Sequence, residues 1–268
     1  DVTLPSVELG WEAMKNRLDT STDDAAGMWR PRLTTIRTES GASVSVNYKG
    51  GCATKPAATD PGGDGGAGNK RLCFPVKWLS VDGDTEEPEP IIDWFQKYVV
   101  SSIVASGSSN PADAAILPTG SAPTETHYNY DTAGGAFWAE PVAAITDPKN
   151  LAHSEFRGFK WVKTSQGVGT EATSPVQTFY YRGKASQTLT AGAEGHKVSV
   201  ADNEDARVGD VFATVSFNDG KKLSETVTKT DISAPVVTKG KLEATRVTGS
   251  DDYGFSYDAT GDTSTGLD

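Results

Sequence analysis

The chain has 268 residues, which is enough to bury the core of one large β domain or of two ordinary ones. Only 36% of the residues are hydrophobic, whereas 28 are Gly and 14 are Pro, and this composition favours many short strands joined by turns. The net charge of -11 and the lack of any apolar run near the roughly 20 residues that cross a bilayer argue against nucleic acid and membrane partners.

The first part of the sequence predicts one helix and one hairpin. Residues 11–18 predict the one helix of the chain, and it is short. Residues 32–38 and 43–48 carry apolar side chains at strand spacing, and Gly41 lies between them. These two arms therefore predict a β-hairpin.

Cys52 and Cys73 bracket a Gly-rich run, residues 61–68, that has little means of ordering itself. A disulfide between them would restrain the unfolded chain by roughly 3 kcal/mol, so we expect this bond and, with it, a secreted or cell-surface location. Two unrelated buried thiols are the alternative. A zinc site is disfavoured because no His lies near either Cys.

The segments after the Gly-rich run predict two strands and a turn of helix. Residues 73–79 alternate apolar and polar side chains, and Pro75 within them indicates an edge strand or the start of a strand. Residues 91–96 tolerate a helical turn, whereas the β-branched residues that follow prefer a strand. We expect a short turn of helix there and then a strand from Lys97.

Turn-forming Gly, Ser, Asn and Pro residues cluster between positions 107 and 123 and predict a solvent-facing loop. This connecting loop, residues 107–123, is the best candidate for a boundary between two regions of the chain. It separates an N-terminal β region, residues 1–110, which holds the Gly-rich run, from a hairpin region, residues 124–268.

The second region predicts two hairpins, with arms at residues 159–164 and 176–181 and at residues 211–217 and 223–230. The later hairpin has the stronger signal, because Asp219 and Gly220 between its arms suit a turn with positive φ. Residues 242–248 and 255–257 continue the strand pattern toward the end of the sequence.

No motif places a catalytic group. His127, His153 and His196 stand far apart, and the sequence has no metal-binding His or Cys spacing. A Gly-x-Ser-x-Gly nucleophile elbow is also missing. We therefore expect a protein that is not an enzyme and needs no cofactor.

Two groups of residues offer binding alternatives. Acidic runs at residues 82–84, 202–205 and 251–252 could ligate calcium, but none continues into an EF-hand, and solvated turns are the stronger interpretation. Aromatic residues could form a sugar-stacking platform if they faced outward, but their alternation favours core filling. These aromatic residues are Trp78, Trp94, Phe95, Trp138, Trp161, Phe179, Tyr180 and Tyr181.

Two seven-residue segments share the form aromatic-x-Tyr-Asp-x-x-Gly, which resembles the YD-repeat core of Rhs proteins. The residues that carry this form are Tyr128, Tyr130, Asp131 and Gly134 in the first copy and Phe255, Tyr257, Asp258 and Gly261 in the second. In each copy we expect a strand to end in Tyr, the Asp to cap the following turn, and the Gly to take positive φ.

The order of longer segments resembles the same family. Residues 29–36, 73–78 and 93–100 follow one another as in the region before the repeats of large secreted actinobacterial Rhs-type proteins. Residues 155–162 are similar to a segment of those proteins and of the B component of insecticidal Tc toxin complexes.

In that family, β-hairpins wind into a hollow shell that encloses a C-terminal toxin. The resemblance implies that this chain is a structural, non-catalytic piece of the shell wall, since it lacks the family's core and autocleavage motif and a toxin domain. Its partners would be further hairpins of its own parent chain and the toxin cargo. The alternative is a secreted β-sandwich that binds cell-wall glycan or a partner protein, which a glycan-binding loss in Trp138→Ala would favour.

The shell hypothesis also predicts the shape of the sheet. The arms 44–48 and 176–181 carry β-branched and aromatic residues with almost no charge, which suits strands that have neighbours. We expect an all-β fold whose antiparallel hairpins form a curved sheet or open sandwich. At least one long unpaired edge should lie near a terminus and allow self-association.

Overall fold

The computed structural model describes residues 5–18, 27–79, 90–107, 123–141, 147–167, 173–185, 187–202, 205–239, 242–258 and 264–267. Strands make up 56% of the structure, and the described segments contain no α-helix. All of the strand pairs in these segments are antiparallel. The predicted fold class, an all-β protein of antiparallel hairpins with a large open sheet, is confirmed.

One sheet of 11 strands runs through the described residues, and each strand pairs with the next long strand along the chain. In order across the sheet, its strands are β1 (Glu8–Lys15), β2 (Trp29–Arg37), β3 (Ser43–Gly50), β6 (Tyr98–Ser106), β7 (Thr124–Tyr130), β10 (Trp161–Gln166), β11 (Thr173–Tyr180), β14 (Val211–Asn218), β15 (Lys221–Ile232), β18 (Val247–Tyr257) and β19 (Ser264–Leu267).

Among the described residues, four two-stranded sheets interrupt this meander at a regular interval. They are β4 (Cys73–Leu79) with β5 (Pro90–Gln96), β8 (Trp138–Ala139) with β9 (Glu155–Phe156), β12 (Thr188–Ala191) with β13 (Val198–Ala201), and β16 (Val237–Lys239) with β17 (Leu242–Ala244). Each lies between two long strands that pair with each other. Because strand direction alternates, all four insertions leave the large sheet at one end, and the β2–β3, β10–β11 and β14–β15 turns lie at the other.

Both helical predictions are wrong. Residues 11–18 contribute to β1, which pairs along its whole length with β2. An eight-residue helix is too short to be stable without packing, whereas the ladder with β2 satisfies the backbone of the segment. Residues 91–96 belong to β5, which pairs with β4 over seven residues and buries Trp94 completely.

The hairpin predictions are confirmed. β2 pairs with β3, β10 with β11, and β14 with β15. Asp219 and Gly220 have φ values of 49° and 78°, as the turn between β14 and β15 requires. Pro75 lies in β4, which has β5 as its one partner in the small sheet, so this strand is an edge strand as predicted.

The hydrophobic core is divided among three of the insertions. One cluster, around Cys73 and Trp94, lies beside β4 and β5. A second, around Trp138 and Phe159, lies beside β8 and β9. The third and largest includes Leu189 and Val200 of the β12–β13 pair, which pack against the large sheet. The β8–β9 and β12–β13 insertions therefore cover parts of the large sheet with apolar side chains.

The predicted division of the chain at residues 107–123 lies almost wholly outside the described residues. β6 and β7, on either side of it, pair with each other in the large sheet. The two regions, residues 1–110 and 124–268, thus share one sheet, and their separate status stays a prediction. Within the described segments, no helix has the length and apolarity that a membrane span requires.

Candidate functional site

The N-terminal edge of the large sheet carries several exposed apolar side chains. β1 has β2 as its one neighbour among the described strands, so its outer backbone groups are open to a further strand. Leu9 is 54% exposed and Trp11 68% exposed, and both lie on one face of β1 because side chains alternate along a strand. Trp29 of β2 is 58% exposed and extends the same apolar surface.

The other face of β1 is charged. Glu8 lies opposite Arg37 and accepts a contact of 3.4 Å from its guanidinium. Glu12 lies opposite Arg32. The edge is therefore amphipathic, with a charged face opposite the arginines of β2 and an apolar face left in solvent.

Residues 16–18 fasten the end of β1 to the first insertion. Leu18 donates a backbone hydrogen bond of 2.8 Å to Trp94, and Arg17 forms a β-bridge with Phe95. The Arg17 guanidinium is bonded to the Asp93 carboxylate, with side-chain exposures of 1% and 4%. The edge strand is thus held by a buried ion pair that the sequence does not reveal.

The Cys52–Cys73 disulfide, as predicted, closes the Gly-rich run next to this anchor. Cys73 is fully buried. The side chain of Gln96 makes two further bonds to the backbone of Cys52, accepting from its N–H at 2.9 Å and donating to its carbonyl at 2.7 Å. The disulfide and the Gln96 amide together fix the loop to β5.

The first YD-like copy forms the expected turn with one difference. Tyr130 ends β7, and the Asp131 carboxylate accepts a hydrogen bond of 2.8 Å from the N–H of Gly134. The residue with positive φ is Gly135, at 69°, and the prediction for Gly134 is wrong by one position. Tyr128 lies on the same strand, and Tyr130 donates a hydrogen bond of 2.6 Å to the Val100 carbonyl.

Burial, and more weakly the neighbouring Tyr128 and Tyr180, raise the pKa of Tyr130 to about 12. Its hydroxyl therefore stays protonated at neutral pH and serves as a hydrogen-bond donor. This fits a structural role for the Tyr at the end of β7.

The second copy lies at the opposite end of the large sheet. Tyr257 ends β18, which runs away from the insertions, whereas Tyr130 ends a strand that runs toward them. Phe255 is buried in the largest core cluster, and Asp258 follows the strand. Gly261 lies outside the described residues. The two copies are therefore not brought together.

Tyr257 helps to hold a buried carboxylate. Glu225 of β15 is 2% exposed and accepts hydrogen bonds from the Tyr257 hydroxyl, from Lys222 at 2.9 Å and from the N–H of Gly192 at 3.1 Å. Burial alone would raise the pKa of Glu225, but these three bonds outweigh it and hold the pKa below its usual value. The Glu225 carboxylate thus links β15, β18 and the segment after β12.

We expect the free energy of unfolding of Glu225→Gln to fall less steeply toward acid pH than that of the unchanged chain. Because the folded-state pKa is lowered, the carboxylate stabilises the fold above its unfolded pKa of about 4.3, and this stability is lost as pH falls through the folded-state pKa. Urea unfolding between pH 7 and pH 3 measures the slope. Glu8→Gln, at an exposed carboxylate, is the matched control, and equal slopes for both variants would contradict the assignment.

The other sequence-predicted groups are dispersed. His127 is on β7, His153 follows a 3-10 turn at Pro148–Asn150, and His196 lies between β12 and β13. Among the described residues, no group of three or more His, Cys, Asp or Glu side chains is placed to hold a metal. The acidic run 82–84 lies outside the described residues.

Two acidic runs differ from the solvated turns that we expected. Asp202 is 1% exposed and accepts backbone hydrogen bonds from Arg182 and Gly183. Asp251 and Asp252 lie within β18 and not in a turn, and their side chains are exposed. Asp202 is therefore built into the fold, whereas Asp251 and Asp252 are solvated.

Three of the eight aromatic residues are buried, and the other five are partly buried. Trp94 and Trp138 are 0% and 3% exposed, and Tyr181 is fully buried. The ring of Trp138 stacks on Phe74 at 5.0 Å, and its N–H bonds to the Arg71 carbonyl. Trp138 therefore presents no face to a sugar.

The chain has structural neighbours of low similarity. No known family model matches it, and no curated protein sequence matches it. One neighbour is the crystal structure of TcdB2-TccC3-Cdc42. The match has 12% sequence identity and a TM-score of 0.41, and it covers 84% of this chain and 10% of the neighbour's chain. Another is the crystal structure of TcdB2-TccC3, with 13% identity and a TM-score of 0.41, covering 86% and 12%.

Both neighbours are Tc toxin chains. This chain spans about a tenth of the length of each.

Proposed function

We propose that the chain is a structural, non-catalytic section of a secreted or cell-surface β shell of the Rhs/YD-repeat type, whose parent polypeptide encloses a C-terminal toxin or effector. The observation that carries this proposal is the open edge at β1, where unpaired backbone and an exposed apolar face coincide. Here the partner would be a further strand of the same parent chain.

The repeating plan of the sheet supports a wall. Two long strands and a two-stranded insertion form a unit that recurs along the described sheet, and a meander of such units can be extended at either edge. The central strands β3 and β11, which carry the nearly uncharged arms 44–48 and 176–181, are paired on both sides as expected. Extension at β1 and β19 would make every long strand central.

The core and the disulfide fit the same role. Buried side chains lie under the insertions and hold them to the large sheet, and the Cys52–Cys73 bond suits an oxidising compartment. The proposal requires no cofactor. The glycan-binding alternative receives no support from Trp138, since its ring is buried.

We expect the purified chain to self-associate through the β1 edge, and Leu9→Lys to weaken this association. Leu9 and Leu223 are both 54% exposed, but Leu223 lies on β15, which has neighbours on both sides. A Lys on the open edge places a charge where a second strand would pack. Light scattering over a concentration series should show association for the unchanged chain and for Leu223→Lys, and much less for Leu9→Lys.

A strictly monomeric unchanged chain, or equal loss of association in both variants, would contradict the edge as the site of pairing. Hydrogen exchange provides the second readout. The amides of β1 should exchange more slowly as the concentration rises, while those of β15 should not change.

A further inference from the structure

An apolar cavity of about 340 Å³ opens on one face of the large sheet. Its floor is made by side chains of β6, β7, β10 and β11, and the segment after β9 forms a side wall. The residues that line the cavity include Val99, Tyr130, Val162, Phe156, Phe159 and Val208. The cavity has the volume of a small-ligand site, and its walls are mostly apolar and aromatic, as such sites usually are.

One charged residue, Arg157, lines the cavity, and its charge is already matched. Its guanidinium bonds to the carboxylates of Glu155, at 3.1 Å, and Asp205. The side chain of Arg157 is 8% exposed, so these bonds lie partly out of water. Arg157 therefore does not leave a free positive charge for a ligand.

Lys97 is different because it lies beside the cavity without a counter-charge. It lies in the connection between β5 and β6, two residues before Val99, which lines the cavity. The Lys97 ammonium lies 4.5 Å from the ring centre of Phe156, a wall residue. None of the described carboxylates forms an ion pair with it. Burial, and then the positive charge of Arg32, lower the pKa of Lys97.

We propose that the cavity and Lys97 form a binding site for a small hydrophobic carboxylate, with the apolar body in the cavity and the carboxylate on the Lys97 ammonium. Apolar surface that enters the cavity leaves water, which stabilises the complex in proportion to its area. The carboxylate supplies the charge that Lys97 lacks in a half-buried position, where an ion pair is stronger than at an open surface. This site does not depend on the proposed shell function.

The test uses 4-phenylbutyrate and its uncharged analogue 4-phenylbutyramide on the full chain. We expect saturable calorimetric binding of the acid, with the amide about tenfold weaker, because a hydrogen bond to a charged group contributes roughly 1.5 kcal/mol or more. Lys97→Met should weaken the acid about tenfold and leave the amide unchanged. The matched control is Lys163→Met, since the Lys163 ammonium also lies over an aromatic ring, at 4.9 Å from Phe217, but away from the cavity.

A second variant and a second readout test the cavity itself. Val208→Trp should fill it and remove the binding of both compounds. In the unchanged chain, the methyl resonances of Val99, Val162 and Val208 should shift on titration, which locates the site even if the variant fails to fold. Equal affinity for acid and amide, equal loss in Lys163→Met, shifts at other methyl groups, or no saturable binding would each overturn the proposal.

Discussion

Replacing Arg17 by Met is expected to destabilise the fold by about 3–5 kcal/mol, because the change leaves Asp93 as a buried charge without its cation. The two side chains are 1% and 4% exposed, so water cannot take over the lost contact. Asp93 also accepts a hydrogen bond of 2.8 Å from the backbone of Trp94, which keeps the carboxylate in place after the change. Urea unfolding at neutral pH measures the loss.

The double variant distinguishes a coupled Arg17–Asp93 ion pair from two side chains that stabilise the fold independently. Asp93→Ala alone should cost a similar amount, whereas Arg17→Met with Asp93→Ala should cost much less than the sum, since neither charge is then left unpaired. Arg37→Met is the control for a lost arginine, since its contact with Glu8 is exposed. Losses below about 1 kcal/mol for both single variants would contradict a buried ion pair at the end of β1.

Removing the disulfide by Cys52→Ala with Cys73→Ala is expected to cost about 3 kcal/mol, since the closed loop restrains the unfolded chain. Cys73 is fully buried beside Trp94, and a small loss of packing adds to this cost. Thermal unfolding of the double variant against the unchanged chain measures the effect. Mass measurement without reductant should show no free thiol in the unchanged chain.

Gln96 provides the control for this experiment. Its amide holds the backbone of Cys52 from the opposite side, so Gln96→Ala should destabilise the same loop by the smaller amount typical of lost hydrogen bonds, about 1–3 kcal/mol. A disulfide variant no less stable than the unchanged chain would show that the Gly-rich run needs no covalent restraint.

The features that the sequence predicts well are local ones. Asp219 and Gly220 encode their turn directly, because few residues accept positive φ. The strand over residues 73–79 follows from two-residue alternation that its own side chains display. The long arms of β10, β11, β14 and β15 are predicted for the same reason.

Distant contacts explain the errors. Residues 11–18 adopt an extended conformation because they pair with β2 and because Leu18 bonds to the backbone of Trp94. The sequence of residues 11–18 does not reveal either contact. The pairing of Arg17 with Asp93 spans 76 positions. The inserted β8 and β9 have two residues each, too few to show any periodicity.

One buried charge did leave a signal in the sequence. Glu225 stands two residues before Val227, a fully buried residue, so alternation along β15 places the carboxylate on the core side of the strand. An acidic residue at such a position needs partners. Lys222 is three residues away, but Tyr257 comes from β18 and Gly192 from the segment after β12, and neither could be assigned from spacing.

The central claim is that this sheet is one section of a wall that continues into further strands of its parent polypeptide. An electron cryomicroscopy structure of the complete natural gene product that contains the chain tests it most directly. We expect the outer edges of β1 and β19 to be hydrogen-bonded to further strands of the same polypeptide, and the extended sheet to surround an enclosed volume. A structure in which β1 stays open to solvent, or in which the sheet ends at these strands without enclosing a volume, would contradict it.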